Sequence, residues 1–320
     1  MISMKMFRIF LGVLFALSAH GAAAEKPRKV LVIGIDGCRP DALAKAKTPV
    51  IDALAKNGAY SYTPQILPLR IVDAETSSGP GWASMLSGAF PDKHGWIDDV
   101  RRRRFNGRFP HFFARLKKHD KKLSTASIIT WPDMKLMITG ADINETFRSD
   151  EAAEKRGIEV LTKQQPDAVF IHLDEVDGAG HSKGFDPGVP EYIGAMEKAD
   201  ARVGRIIKAL RSRSTYDKED WLVIVSSDHG GHGNGHNSHR HVVPAIRKVF
   251  LIVSGESAKR GKIEGQAYTV DVAVTALAHM GVKIDPKWKL DGVPVGLKGH
   301  PTPAKSRPNE PAATKFIRRK

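Results

Sequence analysis

The chain has 320 residues, 41% of them apolar and 27% charged, a balance that excludes a disordered polypeptide and suits one large domain or two ordinary ones. Lysine and arginine outnumber aspartate and glutamate by 50 to 35, so the net charge is +15 and an anionic partner becomes an early expectation. Cys38 is the one cysteine, which excludes an intramolecular disulfide. In chain order, Lys5 and Arg8 make a positive start, Ile9 to Ala19 is apolar, and Ala22-Ala23-Ala24 offers small residues at a cleavage point before Glu25. Residues 1–24 therefore read as a signal peptide, and the mature chain is expected in the periplasm or outside the cell. The apolar run falls short of the roughly 20 residues that span a bilayer, and no later stretch reads as a membrane span.

Short apolar runs bounded by turn residues follow: Val30 to Ile35, Ser124 to Thr130, Ala168 to Leu173, Leu222 to Val225 and Val249 to Val253. Such runs suit buried parallel strands. Between them, helical spacing covers Pro49 to Lys56 behind Thr48 as cap, Phe112 to Lys118, Glu151 to Leu161, Tyr192 to Leu210 and Val270 to Met280. Alternating strand and helix predicts an α/β fold: a doubly wound, mostly parallel sheet with helices on both faces. One domain over residues 25–297 is expected, ahead of a proline-spaced, disordered basic tail over 298–320.

The charge is local. Two units belong to Lys5 and Arg8, six net to the tail from Lys298, and nine net to Arg101–Lys122, which leaves the remainder near −2. Arg101 to Arg104 reads equally as a solvated run or as a device that steers an anionic substrate.

In a doubly wound sheet, ligands collect beyond the carboxyl ends of the strands. Asp36 ends the first run, Asp177 and His181 follow the third, and Asp228-His229 follows the fourth. Asp177 and His181 are four apart, so one turn of helix puts both on one face, as a shared metal requires. Asp228 and His229 are followed by Gly230-Gly231, which lets the chain turn both side chains toward one site. Five histidines crowd positions 229, 232, 236, 239 and 241, and two or three of them are expected to be merely solvated. Zinc accepts such mixed oxygen and nitrogen sets, and a metal pair can clamp the attacking and leaving oxygens of a phosphoryl transfer. Ser78 lies just before a helical stretch, where backbone donors and the helix dipole favour an alkoxide. From local sequence it reads equally as a nucleophile or, like Ser77, as a helix cap. Trp82 reads as core in preference to a base-stacking platform, and Cys38 as a small packed residue.

Taken together, Gly34-Ile35-Asp36-Gly37-Cys38-Arg39-Pro40-Asp41, Ser78-Gly79-Pro80-Gly81-Trp82 with Gly88, Pro91-Asp92-Lys93-His94-Gly95, Asp177 to His181, and Ser227-Asp228-His229-Gly230 resemble the alkaline phosphatase superfamily. Their order is most similar to its type I phosphodiesterase/nucleotide pyrophosphatase branch, from about Val30 to Gly296. The resemblance implies that Asp36, Asp228 and His229 hold one zinc and that Asp177, His181 and a later histidine hold the other. It makes Ser78 the metal-bridging nucleophile. His236 is assigned as the later histidine, with His239 and His241 as alternatives. Two departures stand out: that branch usually has Thr as nucleophile and Asn three residues on, where this chain has Ser78 and Gly81. Sulfatases share the layout but carry Arg four residues after the nucleophile, where this chain has Trp82. The resemblance thus implies a two-metal hydrolase of small anionic phosphate esters, diesters or nucleotide pyrophosphates first, monoesters or sulfate esters second. From another class, the basic segments fit a polyanion-binding envelope protein with a degenerate metal site.

Overall fold

The computed structural model describes residues 25–71, 73–99, 107–236 and 243–301. The expected signal peptide, Arg101–Arg104, His239, His241 and the tail beyond Pro301 lie outside them. Strands run over Arg28–Ile35 (β1), Ala59–Ser61 (β2), Thr125–Ile129 (β3), Ile143–Thr146 (β4), Ala168–Leu173 (β5), Asp220–Ser226 (β6), Leu251–Gly255 (β7) and Gly261–Lys262 (β8). Helices run over Pro40–Leu43 (α1), Pro49–Lys56 (α2), Ser78–Ser87 (α3), Pro91–His94 (α4), Phe112–His119 (α5), Asp150–Glu159 (α6), Glu175–Lys183 (α7), Pro190–Arg211 (α8), Pro244–Arg247 (α9) and Asp271–His279 (α10).

Among the described residues the strands form one sheet in the order β4-β3-β5-β1-β6-β7-β2-β8. The first five are parallel and meet the expectation. The run at Val249 to Val253 does not: β7 lies antiparallel to β6, and β2 antiparallel to β7. A parallel neighbour needs a crossover of a dozen or more residues, usually a helix. Between β6 and β7 the described chain has only the four-residue α9, so it returns in the opposite direction.

The centre of the sheet is β1, buried from Lys29 to Ile35. Its side chains alternate between two cores, as a strand buried on both faces must. Val30 and Val32 pack with Trp82, Phe112 and Leu277 from α3, α5 and α10. Leu31, Ile33 and Ile35 pack with Leu54, Val203 and Ile206 from α2 and α8 on the other face. Helix α8 keeps Tyr192, Met196, Ala199, Val203, Ile206 and Leu210 buried, a stripe at three- and four-residue spacing. The expected Thr48 cap is corrected. Pro49 already occupies the first helical position, and the Thr48 hydroxyl makes no capping bond but reaches Asp52 Oδ1 at 3.5 Å.

Gly34 shows how the core reaches the sheet's functional edge. A Cβ at this position would run into the six-membered ring of Trp82, which lies across β1 with no exposed surface. Gly34→Ala is therefore expected to lower stability by about 1–3 kcal/mol, the usual cost of forcing a methyl into a packed core. A urea midpoint equal to that of the parent chain would contradict this packing.

Candidate active site

Pairing of β1 places Gly34 opposite His172 on β5 and Ser226 on β6, so the residues after these strands emerge side by side. Asp36 is the first residue after β1. At Gly37 the chain turns with φ 63°, and a Cβ there would meet Asp177. The Gly37 N–H donates to Asp228 Oδ1 at 3.2 Å. The Ser227 hydroxyl accepts from Cys38 N–H at 3.0 Å and donates to the His229 carbonyl at 2.8 Å. These bonds stitch the loops after β1 and β6 into one platform. Helix α7 begins beside it and carries Asp177 and His181, as their spacing predicts. Ser77 occupies the N-cap position of α3 without making a side-chain cap, and Ser78 is the first helical residue. The Ser78 hydroxyl faces the platform instead, 3.4 Å from Asp36 Oδ1 and 3.1 Å from His229 Nε2.

All seven residues singled out from the sequence, Asp36, Ser78, Asp177, His181, Asp228, His229 and His236, meet here. Among the described residues, Asp36, Asp228 and His229 bring one ligand atom each within 4.8 Å of one another, and so do Asp177, His229 and His236. His181 adjoins the second group, with Nε2 3.3 Å from Asp177 Oδ2 and 2.9 Å from His236 Nε2. His236 is drawn in by its carbonyl, which accepts from the Thr76 hydroxyl at 2.6 Å.

The chemistry of this donor set fits divalent cations. Asp177 Oδ1, Asp228 Oδ2 and His236 Nδ1 are buried with no hydrogen-bond partner, a costly arrangement unless something else satisfies them. The Nδ1–H of His229 donates to the Gly230 carbonyl at 2.7 Å, and that of His181 to the Asn234 carbonyl at 3.0 Å. Each bond occupies Nδ1 and leaves Nε2 facing inward, the usual way a ligating histidine is oriented. The charges agree. Burial, then the charge on Asp36, push the Asp228 carboxyl well above its ordinary range, and the same two causes raise Asp177. Burial opposes a charge on His229, yet Asp228 and Asp36 hold its pKa well above the usual imidazole value. Three buried carboxylates thus call for positive charge at the centre of the site. Burial, helped by the charge of His229, lowers His236 to about 2, so its ring stays neutral as a metal ligand must.

Several partners were not legible in the sequence. Trp82 is core, as expected, but its Nε1–H also donates to Asp36 Oδ2 at 2.9 Å. His172, read only as part of an apolar run, places Nε2 3.1 Å from the same oxygen. Burial would raise the Asp36 carboxyl, but the hydrogen bonds of His172 and His229 hold it well below the ordinary range. Asp99 accepts the Gly79 N–H at 2.7 Å beside Ser78. Its carboxyl is pushed up by burial, against the bond from Gly79. His94 bonds Ser84 Oγ at 3.0 Å and ties α4 to α3 without entering the site. Cys38 is buried, and that burial raises its thiol above the usual range, so it packs rather than reacts.

The sequence profile described as type I phosphodiesterase/nucleotide pyrophosphatase matches residues 30–243. The chain belongs to this family. Ectonucleotide pyrophosphatase/phosphodiesterase family member 1 of Homo sapiens is 26% identical over 235 residues, which cover 65% of this chain and 24% of that protein. An uncharacterised pyrophosphatase/phosphodiesterase of Schizosaccharomyces pombe is 22% identical over 227 residues, 63% of this chain and 44% of that protein. The chain thus spans less than half the length of these two relatives. Among solved structures, murine ectonucleotide pyrophosphatase/phosphodiesterase 5, an inactive variant in complex with AMP, superposes with a TM-score of 0.62 at 14% identity, over 81% of this chain and 96% of that one. A 2-O GAG sulfatase superposes with a TM-score of 0.66 at 14% identity, over 84% of this chain and 73% of that one. Both likenesses show the alkaline phosphatase-like fold. In this chain Asp36, Ser78, Asp177, Asp228, His229 and His236 converge at the end of the sheet.

Proposed function

We propose that the chain is an exported hydrolase of phosphate esters that uses two divalent ions, zinc by donor type, with phosphodiesters or nucleotide pyrophosphates as substrates. The observation that carries this reading is the Ser78 hydroxyl, set at the N-terminus of a ten-residue helix and within 3.4 Å of both Asp36 and His229. Asp36, Asp228 and His229 would hold one ion, Asp177, His181 and His236 the other, with Ser78 between them. Bound there, the ions supply Lewis-acid stabilisation of oxygen anions and lower the pKa of a coordinated hydroxyl. Ser78 Oγ gives up its proton and attacks phosphorus, the bond to the leaving alcohol or phosphate breaks with its electron pair and an equivalent proton going to the leaving oxygen, and the phosphoryl or nucleotidyl group rests on the serine. Water then adds to phosphorus, and Ser78 leaves with a proton.

Export rests on residues 1–24, and an N-terminus at Glu25 in protein recovered from an envelope fraction would support it. The substrate class is tested with a monoester, a diester and a sulfate ester of one chromogenic alcohol, with and without chelator. The diester is expected to turn over fastest and chelator to stop it. Fastest turnover of the sulfate ester would move the chain to the sulfatase reading instead.

Asp99 bears on the order of the two phosphate esters. Its carboxylate occupies a backbone donor at the start of α3 and adds negative charge beside the nucleophile, which disfavours a dianionic monoester more than a monoanionic diester. Asp99→Asn keeps an acceptor for Gly79 N–H and removes the charge. The monoester-to-diester ratio of kcat/KM is expected to rise roughly tenfold, the effect of about 1.4 kcal/mol of Coulomb interaction. An unchanged ratio would remove Asp99 from this role.

A further inference from the structure

A third group of donors lies under the site: Asp36, His172 and Asp174 also bring ligand atoms within 4.8 Å of one another. Its histidine is wired differently from the others. His172 Nδ1 lies 3.3 Å from the Thr130 backbone N–H, which can only donate, so Nδ1 is an acceptor and the ring proton sits on Nε2. The Thr130 hydroxyl, 2.8 Å from the same nitrogen, completes the seat. His229 and His181, by contrast, donate through Nδ1 to backbone carbonyls and turn Nε2 inward. His172 therefore offers Asp36 a hydrogen, not a lone pair. Its ring is fully buried and meets Trp82 edge-on at 4.8 Å between centroids. Both rings place an N–H on one oxygen of Asp36, Oδ2, at 3.1 and 2.9 Å. The other oxygen, Oδ1, is the one near Ser78 and His229.

We infer that His172 is a positioning residue: with Trp82 it occupies Oδ2, so that Asp36 serves a metal ion through Oδ1 alone. Two consequences follow. Asp36 cannot swing into a two-oxygen grip, which keeps a coordination position open next to the Ser78 hydroxyl. The Asp36, His172 and Asp174 group is not a third metal site, because its imidazole faces the carboxylate with a proton.

The inference rests on the two-metal reading above, and its test reads metal binding with no substrate present. Zinc and cobalt(II) are titrated into the full chain, His172→Leu and His172→Gln, with affinities from chelator competition and geometry from the visible cobalt spectrum. His172→Leu is expected to weaken one of the two sites by about 10- to 100-fold, the range for groups that orient a ligand. The spectrum of that equivalent should change with it. The site built on Asp177 and His236 keeps its affinity, which also reports that the variant is folded. Glutamine, with an amide donor of similar reach, should recover most of the loss. Parent-like affinity and spectrum in His172→Leu would overturn the role, and so would equal loss at both sites in both variants. A third metal equivalent that disappears with His172 would make it a ligand instead. A parent chain that binds no metal would sink the two-metal reading itself, an outcome separate from all of these.

Discussion

Ser78→Ala is expected to lower kcat on a chromogenic diester by about 10⁴-fold or more, the scale on which removal of an attacking hydroxyl acts. The substitution deletes one oxygen at the first residue of α3 and no packing atom of the core, so stability should change little. The proposed ligands Asp36, Asp228, His229, Asp177, His181 and His236 remain, and zinc content by elemental analysis should stay near that of the parent. This pairing of results separates a nucleophile from a structural residue. A helix cap would affect the unfolding midpoint by about 1 kcal/mol and leave much of the rate. Ser77 and Ser78 make no side-chain cap on α3 in this structure. Activity within tenfold of the parent would end the assignment.

Metal removal is expected to be the second large effect, and to differ in size between two proteins. The parent chain buries Asp36, Asp177 and Asp228 together, at 1%, 9% and 0% exposure, and burial pushes two of these carboxyls up. Saturating zinc should therefore raise Tm by roughly 10 °C, since a ligand at a thousand times its Kd adds about 4 kcal/mol and a domain of this size gains a few degrees per kcal/mol. Asp228→Asn relieves the crowding of charge without changing shape. The metal-free variant should melt higher than the metal-free parent, yet gain much less on zinc addition and hydrolyse below 1% of the parent rate, the order of loss expected for a missing metal ligand. Differential scanning fluorimetry with and without chelator reads all four states. A parent Tm indifferent to zinc would contradict the donor set.

The residues readable in advance were those whose place follows from sheet topology. Asp36 comes directly after one apolar run and Asp228 three residues after another, and the two runs are the adjacent strands β1 and β6, so both had to emerge at one edge. Asp177 and His181 were readable because four residues make one turn of helix. His236 was harder: nothing in Gly235-His236-Asn237 says that the Thr76 hydroxyl will hold its carbonyl, a bond across 160 residues. His172 was missed because a histidine inside Ala168 to Leu173 looks like a gap in an apolar strand, and its meaning comes from Thr130 just after β3 and Asp36 just after β1. Asp99 was missed for the same reason, its partner being a backbone N–H on α3. Strands β2, β4 and β8 are two to four residues long and carry no pattern to read. They exist because the edges of an established sheet offer them partners.

The position of β1 has a consequence for how the molecule is made. It is the first strand in the chain and the middle strand of the sheet, with Val30 paired to Ala168 on one side and to Leu222 on the other. Until Leu222 and its neighbours are in place, this buried strand has at most one flank covered. The same wait applies to Asp36, whose companions Asp228 and His229 follow immediately after β6. The folding step that closes the sheet on the β6 side is also the one that brings Asp36, Asp228 and His229 together. Destabilising β6 should for that reason slow folding, a form of damage that relative contact order predicts for long-range parallel pairing.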